Sequence, residues 1–311
     1  MDLLSDVLSH INLKGTLYFR AAMTSPWGVK VPPYENVARF HFAHRGRCLV
    51  RVEQRDPPVL LEQGDLIIIT RGASHTLFCD PKTEDISLPL ETVIEKSGFT
   101  GTGALVYGEP GTHHETQLIC GHFAFDDHAK NLLIEALPRF IHIRNYGEAS
   151  GLWMENTLKV IGNEAGHQKL GGDLIAIKLS EIIFVQALRA YLDDIREDVP
   201  ILSGFADTHI ARTLAVMHQE PEKAWSLKSL SETAGMSRTA YASKFSRHMT
   251  LSPLAYLTYW RMQIARRKLV ETQDPIIQIA ESVGYGSEAS FSRVFKKHHN
   301  SAPATYRRLA Q

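Results

Sequence analysis

The sequence predicts an α+β protein: an antiparallel β-barrel with a helical appendage, followed by an all-α domain carrying two helix-turn-helix units in tandem. Three observations predict it. Short β-branched runs punctuated by Pro and Gly fill roughly the first 125 residues. The apolar period then becomes helical. Finally, one short pattern occurs twice, at 235–245 and 284–297: a small turn, then a helix with aromatic residues on one side and small or basic residues on the other. At 311 residues the chain exceeds one ordinary core and suits two domains, 1–196 and 205–311, joined by a linker at 197–204.

The β-rich part reads as strands at Thr16–Ala22, Val37–Ala43, Cys48–Glu53, Val59–Leu61, Asp65–Thr70, Thr76–Phe78 and Gln117–Phe125, barrel strands ending at about residue 126. Their brevity and tight spacing favour a barrel or sandwich over a βαβ fold. Residues 80–115, with Pro81, Pro89, Gly101, Gly103, Pro110 and Gly111, read as a long irregular excursion holding an exposed His113-His114 pair. Helices follow over 128–195: Ala129–Phe140, stopped near Pro138; Leu152–Asn163; and Gly172–Ile195, whose Leu174, Ile177, Leu179, Ile182, Ile183, Val185, Leu188 and Leu192 form a wide apolar stripe suited to pack on the barrel or on a second copy of the chain. Charges, Pro200 and Gly204 then break the helical pattern.

The C-terminal third supplies clear start and stop signals. Asp207–Gln219 is a first helix. Trp225–Gly235 is a second, with Ser226 at its start and Gly235 at its close. Ser237 caps a third, Ser237–Met249, which puts Tyr241, Phe245, His248 and Met249 on one side and Thr239, Ala242, Ser243 and Ser246 on the other. A long helix from Pro253 to about Thr272 follows. Ile276–Val283, a turn at Gly284-Tyr285-Gly286 and a helix capped by Ser287 complete the second unit, with Phe291, Val294, Phe295 and His298 inward and Ala289, Ser292, Arg293 and Lys296 outward.

The 34 Lys and Arg balance 34 Asp and Glu, yet residues 205–311 hold 15 basic against 8 acidic side chains. A basic C-terminal third suits a polyanionic partner. About twenty helical residues span about 30 Å, close to the ~34 Å between successive major grooves on one face of B-DNA. The partner expected is therefore double-stranded DNA. Arg238, Lys244, Arg247, Lys296 and Lys297 are placed to neutralise phosphates, and Arg293 to contact a guanine. Thr239 and Ala242 suit thymine methyls, Ser243 and Ser292 suit bases or phosphates, and Glu288 and Ala289 complete the second helix's outer face.

Cys48, Cys79 and Cys120 are odd in number and form no Cys-x-x-Cys pair, which argues against a disulfide framework or zinc knuckle. The start lacks a basic n-region and no apolar run approaches ~18–20 residues, so a cytoplasmic protein is expected, with no membrane partner.

Residues 205–311 resemble the DNA-binding domain of the AraC/XylS family of transcription regulators. The likeness rests on Leu251-Ser-Pro253, Tyr256, Arg261, Ala265, Leu269, Ile279-Ala280, Val283-Gly284-Tyr285, Ser287, Phe291-Ser292-Arg293-Val-Phe295-Lys296-Lys297 and Pro303 to Arg307, with Asn300 where the family usually has Gly. In the first part, Gly64-Asp65 to Gly72-Ala-Ser-His75 resembles the second motif of the cupin family, with Thr70 in place of its Pro, while His41-x-x-His44 replaces the family's His-x-His. The resemblance implies a promoter-binding regulator whose cupin-type barrel senses a signal or dimerises. It further implies RNA polymerase as a partner if the regulator activates, and a small-molecule or redox effector. His41, His75, Cys48 and Cys120 are the candidate effector-site residues. No cofactor, metal site or catalytic residue is assigned. Two alternatives stay open: a metal-dependent cupin enzyme fused to a DNA-binding domain, and a regulator that senses redox state through cysteine.

Overall fold

A computed structural model describes residues 3–9, 13–53, 57–101, 103–108, 115–125, 132–144, 153, 156–157, 160, 170–194 and 200–310. The chain divides into two compact units. One comprises Leu13–Asp127 and Leu137–Ile195; the other comprises Met1–Asn12, His128–Ala136 and Arg196–Gln311.

The first unit is a two-sheet barrel. Its strands are β1 (Leu13–Thr24), β2 (Gly28–Val31), β3 (Val37–Arg45), β4 (Cys48–Val52), β5 (Val59–Leu61), β6 (Leu66–Ile69), β7 (His75–Phe78), β8 (Leu88–Pro89), β9 (Ala104–Tyr107), β10 (Glu115–Phe125) and β11 (Phe140–Ile143). One sheet runs β11-β6-β3-β10-β1-β9 and the other β5-β4-β7-β2-β8. Pairing is antiparallel except for β1 with β9 and β2 with β8. Side chains alternate across a strand, so β3 and β10 each serve two layers. Phe40 and Phe123 stack on the outer side at 5.1 Å, while His41 and Cys120, paired in the β3–β10 register, turn inward.

The stretch expected to be irregular holds β8, β9 and a helix, Leu90–Ser97, whose Val93 is fully buried. These pieces are too short to carry a period of their own; β8 and β9 form because the parallel edges of β2 and β1 accept them. The helix expected over 129–140 is shorter, Leu132–Ala136, and the chain beyond Pro138 becomes β11. Phe140-Ile-His-Ile pairs there with β6 from Phe140↔Ile69 to Ile143↔Leu66, and this pairing overrides the helical reading. Thr70 is 1% exposed and donates its hydroxyl to the carbonyls of Pro138 and Arg139, tying β6 to the start of β11.

The long helix Gly172–Asp194 packs on the outer face of the six-stranded sheet. Phe184 sits 5.3 Å from Phe123 and 5.7 Å from Phe125, and Ile183, Ala187 and Leu188 are buried beside it. Leu174 and Ile182 of its stripe are exposed, as is the neighbouring Ile175. The helix expected at 152–163 falls mostly outside the described residues, as does His113-His114.

The helical unit contains Leu3–Ser9, Leu132–Ala136, Pro200–Ala206, Thr208–Gln219, Leu227–Ala234, Arg238–Met249, Pro253–Glu271, Ile276–Ser282, Glu288–His299 and Pro303–Ala310. Pro200–Ala206 lies largely within the stretch read as a linker. Pro is compatible with a first helical turn, where its missing N–H costs nothing, and Ser203 is fastened to His248 Nδ1 at 2.7 Å. The core around the first helix-turn-helix centres on Tyr241, Phe245, Tyr256 and Trp260. His218 stacks on Trp260 at 3.7 Å and bonds Tyr256 Oη and Asp6 at 2.8 Å each. A second core gathers Met262, Ala265, Leu269, Ile279, Val283, Phe291, Phe295 and Tyr306.

Candidate functional site

Each helix-turn-helix is assembled from local signals. Ser226 forms a capping box with Ser229. Ser237 Oγ accepts the Ala240 N–H, and Ser287 Oγ accepts the Ser290 N–H, each at 3.3 Å; such caps satisfy donors that a helix start leaves unpaired. Both second helices end on a left-handed residue, Thr250 (φ 58°) and Asn300 (φ 56°). Asn tolerates that region, so the departure from Gly at 300 leaves the turn intact.

The two second helices match position for position at an offset of 50 residues. Tyr241, Phe245 and Met249 are buried, as are Phe291, Phe295 and His299. Residues 238–240, 243, 246 and 247 are exposed, as are 288–290, 293, 296 and 297. This places Arg238, Thr239, Ser243 and Arg247 on one exposed face and Glu288, Ala289, Arg293, Lys296 and Lys297 on the other; Ala242 and Ser292 are half-buried at their edges. Lys244 stands apart from these, its ammonium 2.6 Å from Asp207. That carboxylate also accepts the N–H groups of His209 and Ile210 as the cap of Thr208–Gln219.

The helix Pro253–Glu271 joins the two helix-turn-helices, and its 19 residues extend about 28 Å at ~1.5 Å each. Arg261, midway along it, donates to Pro221 O at 2.6 Å and Lys223 O at 2.8 Å, gripping the loop before the first helix-turn-helix. The same guanidinium lies against the turn of the second. A Cβ on Gly284 would stand 2.7 Å from Arg261 Nη2 and 2.6 Å from Glu222 O, and Gly284 has φ +82°. Arg307 holds the far end through Leu269 O and Asp274 O.

In the barrel, three of the four candidate effector residues come together. His75 Nδ1 lies 3.0 Å from Ala73 O, His75 Nε2 lies 2.8 Å from His41 Nε2, and His41 Nδ1 lies 3.1 Å from Cys120 Sγ. A carbonyl only accepts, so His75 carries its proton on Nδ1 and accepts at Nε2. His41 therefore donates from Nε2 and accepts the Cys120 S–H at Nδ1. Burial, with His75 and Arg39 adding to it, holds His41 well below the ordinary imidazole range. Burial pushes His75 down to about 4 and the Cys120 thiol up to about 12, so all three groups are neutral at pH 7. Each imidazole nitrogen of the pair is engaged in this chain. Among the described residues no group of three or more His, Cys, Asp or Glu is arranged to hold a metal ion. Cys48 does not join them. It is 1% exposed within the apolar core beside Leu61, and burial raises its thiol. His44 lines a separate depression with Arg20 and Gln117.

Arg39 and Trp27, which line a cavity inside the barrel together with His41 and Cys120, escaped the sequence reading. For Arg39 a signal existed: it lies two residues before His41 on a strand and so shares its face. Trp27 follows Ser25-Pro26 and precedes a four-residue strand, which offers no period to place it.

A cupin family model matches residues 2–193 and a helix-turn-helix domain model matches residues 230–309. The chain is 31% identical over 312 residues to a putative AraC-like transcription regulator of Streptomyces lividans, covering 99% of this chain and 98% of the relative. It is 32% identical to a similarly described protein of Streptomyces antibioticus, covering 99% of each, and 27% identical, again over 99% of each, to the HTH-type transcriptional regulator AlkR of Acinetobacter baylyi. No described helix is long and apolar enough to cross a membrane. With both halves matched and the full length aligned, the chain belongs to the AraC-like family: it is a DNA-binding transcription regulator with an N-terminal cupin-like domain.

Proposed function

We propose that Arg238–Met249 and Glu288–His299 enter two successive major grooves of one promoter, held at that spacing by Pro253–Glu271, and that the barrel controls the binding. The observation that carries this reading is the repeated pattern of exposure: two helices buried at matching positions present their outer faces from either end of one clamped strut. Arg238, Arg247, Lys296 and Lys297 pair with phosphates, which position the protein. Arg293 reads a guanine through two hydrogen bonds. Thr239, Ala242 and Ala289 meet thymine methyls, Ser243 and Ser292 bond bases or phosphates, and Glu288 lies at the start of the second reading face. Lys244, committed to Asp207, acts by holding the first reading helix on its neighbour.

In this reading residues 1–196 sense and 205–311 read DNA, with 197–204 between them. The protein works in the cytoplasm without catalysing a reaction. A second copy of the chain is its partner at the promoter, and RNA polymerase is a further partner where it activates. The neutral, hydrogen-bonded state of Cys120 and the apolar burial of Cys48 favour a small-molecule effector over oxidation, because the thiolate is the oxidisable form.

The test is footprinting on a target promoter found by genome-wide mapping of bound sites. Protection of two groove segments about one helical turn apart is expected, with affinity falling steeply with salt. Protection of a single segment by each protein molecule would reject the two-groove reading.

A further inference from the structure

The barrel encloses a cavity of about 290 Å³. Alternation builds its wall: Ala21 and Met23 of β1, Val29 and Val31 of β2 and Leu118 of β10 turn hydrocarbon inward. Two N–H donors interrupt that lining. Trp27 is 1% exposed, and its indole N–H is buried with no hydrogen-bond partner. Arg39 reaches the same cavity from β3, opposite His122 of β10, and its Nε–H is likewise buried and unpartnered. The Arg39 guanidinium lies 4.1 Å from the centre of the Tyr34 ring. Tyr34 accepts a side-chain hydrogen bond from it, and among the described residues no carboxylate forms an ion pair with it; Glu91 acts on it only through space. His41 and Cys120, which also line the cavity, are occupied with one another and with His75.

An arginine is charged at any working pH. Set in a largely apolar wall, with Tyr34 bonded to it and no carboxylate in contact, it bears a desolvation cost that a bound anion would offset; burial accordingly lowers its pKa. The cavity therefore presents donors and one positive charge on a mostly apolar wall, whose other polar side chains are Tyr34, His41, Cys120 and His122. Size sets a second limit. Since ~150 Å³ admits benzene, 290 Å³ admits roughly a dozen non-hydrogen atoms.

We propose that the effector is an apolar monocarboxylate of about a dozen non-hydrogen atoms, its carboxylate paired with Arg39, its chain on the aliphatic wall, and the Trp27 N–H available to an acceptor oxygen. This rests on the reading of the barrel as a small-molecule sensor. It adds the chemical class: an amphipathic acid, and neither a neutral hydrocarbon, a sugar nor a cation.

Calorimetric titration of the full-length protein with sodium decanoate, 1-decanol, sodium hexadecanoate and decylammonium chloride tests it. One decanoate per chain is expected, bound at least about tenfold tighter than decanol, since a charge-assisted hydrogen bond is the stronger kind. Hexadecanoate should bind more weakly than decanoate, and decylammonium not at all. Arg39→Gln should cost decanoate about tenfold or more and leave decanol within about twofold, while Arg39→Lys keeps the preference for the acid. The proposal is overturned if decanol binds as tightly as decanoate, if Arg39→Gln leaves their ratio unchanged, or if decanoate fails to bind at millimolar concentration. Footprinting of the unliganded protein on its promoter separates the two questions: a persisting footprint leaves the reading of the helices standing whatever the titration shows.

Discussion

The two reading helices share a buried face and differ in nearly everything they expose. At offset 50, Tyr241 answers to Phe291 and Phe245 to Phe295, aromatic for aromatic. On the outside, Ser243 answers to Arg293, Ser246 to Lys296 and Arg238 to Glu288. Packing fixes the first set, because a change of one methylene in a close-packed core is felt. Nothing in the fold fixes the second, so what each helix reads is free to diverge. On the reading proposed above, this difference gives polar readout to the second helix, and methyl contacts and shape to the first.

The largest expected effect separates the turns. Gly235 closes the helix Leu227–Ala234 at φ +65° with nothing within 4 Å of an added Cβ, whereas Gly284 meets Glu222 O and Arg261. Gly235→Ala should cost about 1 kcal/mol, the left-handed strain alone; Gly284→Ala should cost about 3 kcal/mol, since it adds overpacking against backbone. Urea unfolding followed by helical circular dichroism reads both, and equal costs would dissolve the distinction.

The outer faces come next. Arg293→Ala should lose about 1–3 kcal/mol of specific binding and relax the preference at one base pair, while Ser243→Ala should lose less than about 0.5 kcal/mol. Binding titrations against a set of singly substituted promoters decide this, and a larger loss at Ser243 would reverse the assignment. Replacing Lys296 and Lys297 together by Ala should flatten the slope of log affinity against log salt by about 2. Lys244→Ala should leave that slope unchanged and cost about 0.5–1 kcal/mol of stability, as its partner is Asp207. A changed slope would return Lys244 to the DNA face. The smallest effect concerns the helix ends. Thr250→Gly should stabilise by about 0.5–1 kcal/mol and Asn300→Gly by a few tenths, because a β-branched residue suits the left-handed region least. Melting temperatures of the two variants compare them.

Much of the helical unit was legible because its signals are local. Ser226, Ser237 and Ser287 announce helix starts, and aromatic spacing marks the inward face. The commitment of Lys244 to Asp207 was not legible, because it joins residues 37 positions apart on separate helices. In the barrel, runs such as Val37–Ala43 alternate visibly, but β8, β9 and β11 take their conformation from strands already in place. The sequence suggested histidine and cysteine as effector residues. The structure binds His41, His75 and Cys120 to one another and leaves an unpartnered donor on Arg39, whose importance rests on what surrounds it. Surroundings assembled from several strands cannot be read along one.

The hydrogen-bonded row from Cys120 through His41 and His75 to the Ala73 carbonyl has a consequence for what the barrel ignores. Both imidazoles have folded-state pKa values below their ordinary one, so each stays uncharged as pH rises through 5 to 8 and takes a proton only in stronger acid. Folding is then favoured above the unfolded value near 6.5 and progressively penalised below it, as the unfolded chain binds protons that the barrel refuses. Within the physiological range, swings in acidity leave the charge of this row unchanged, so the row itself carries no signal of acidity.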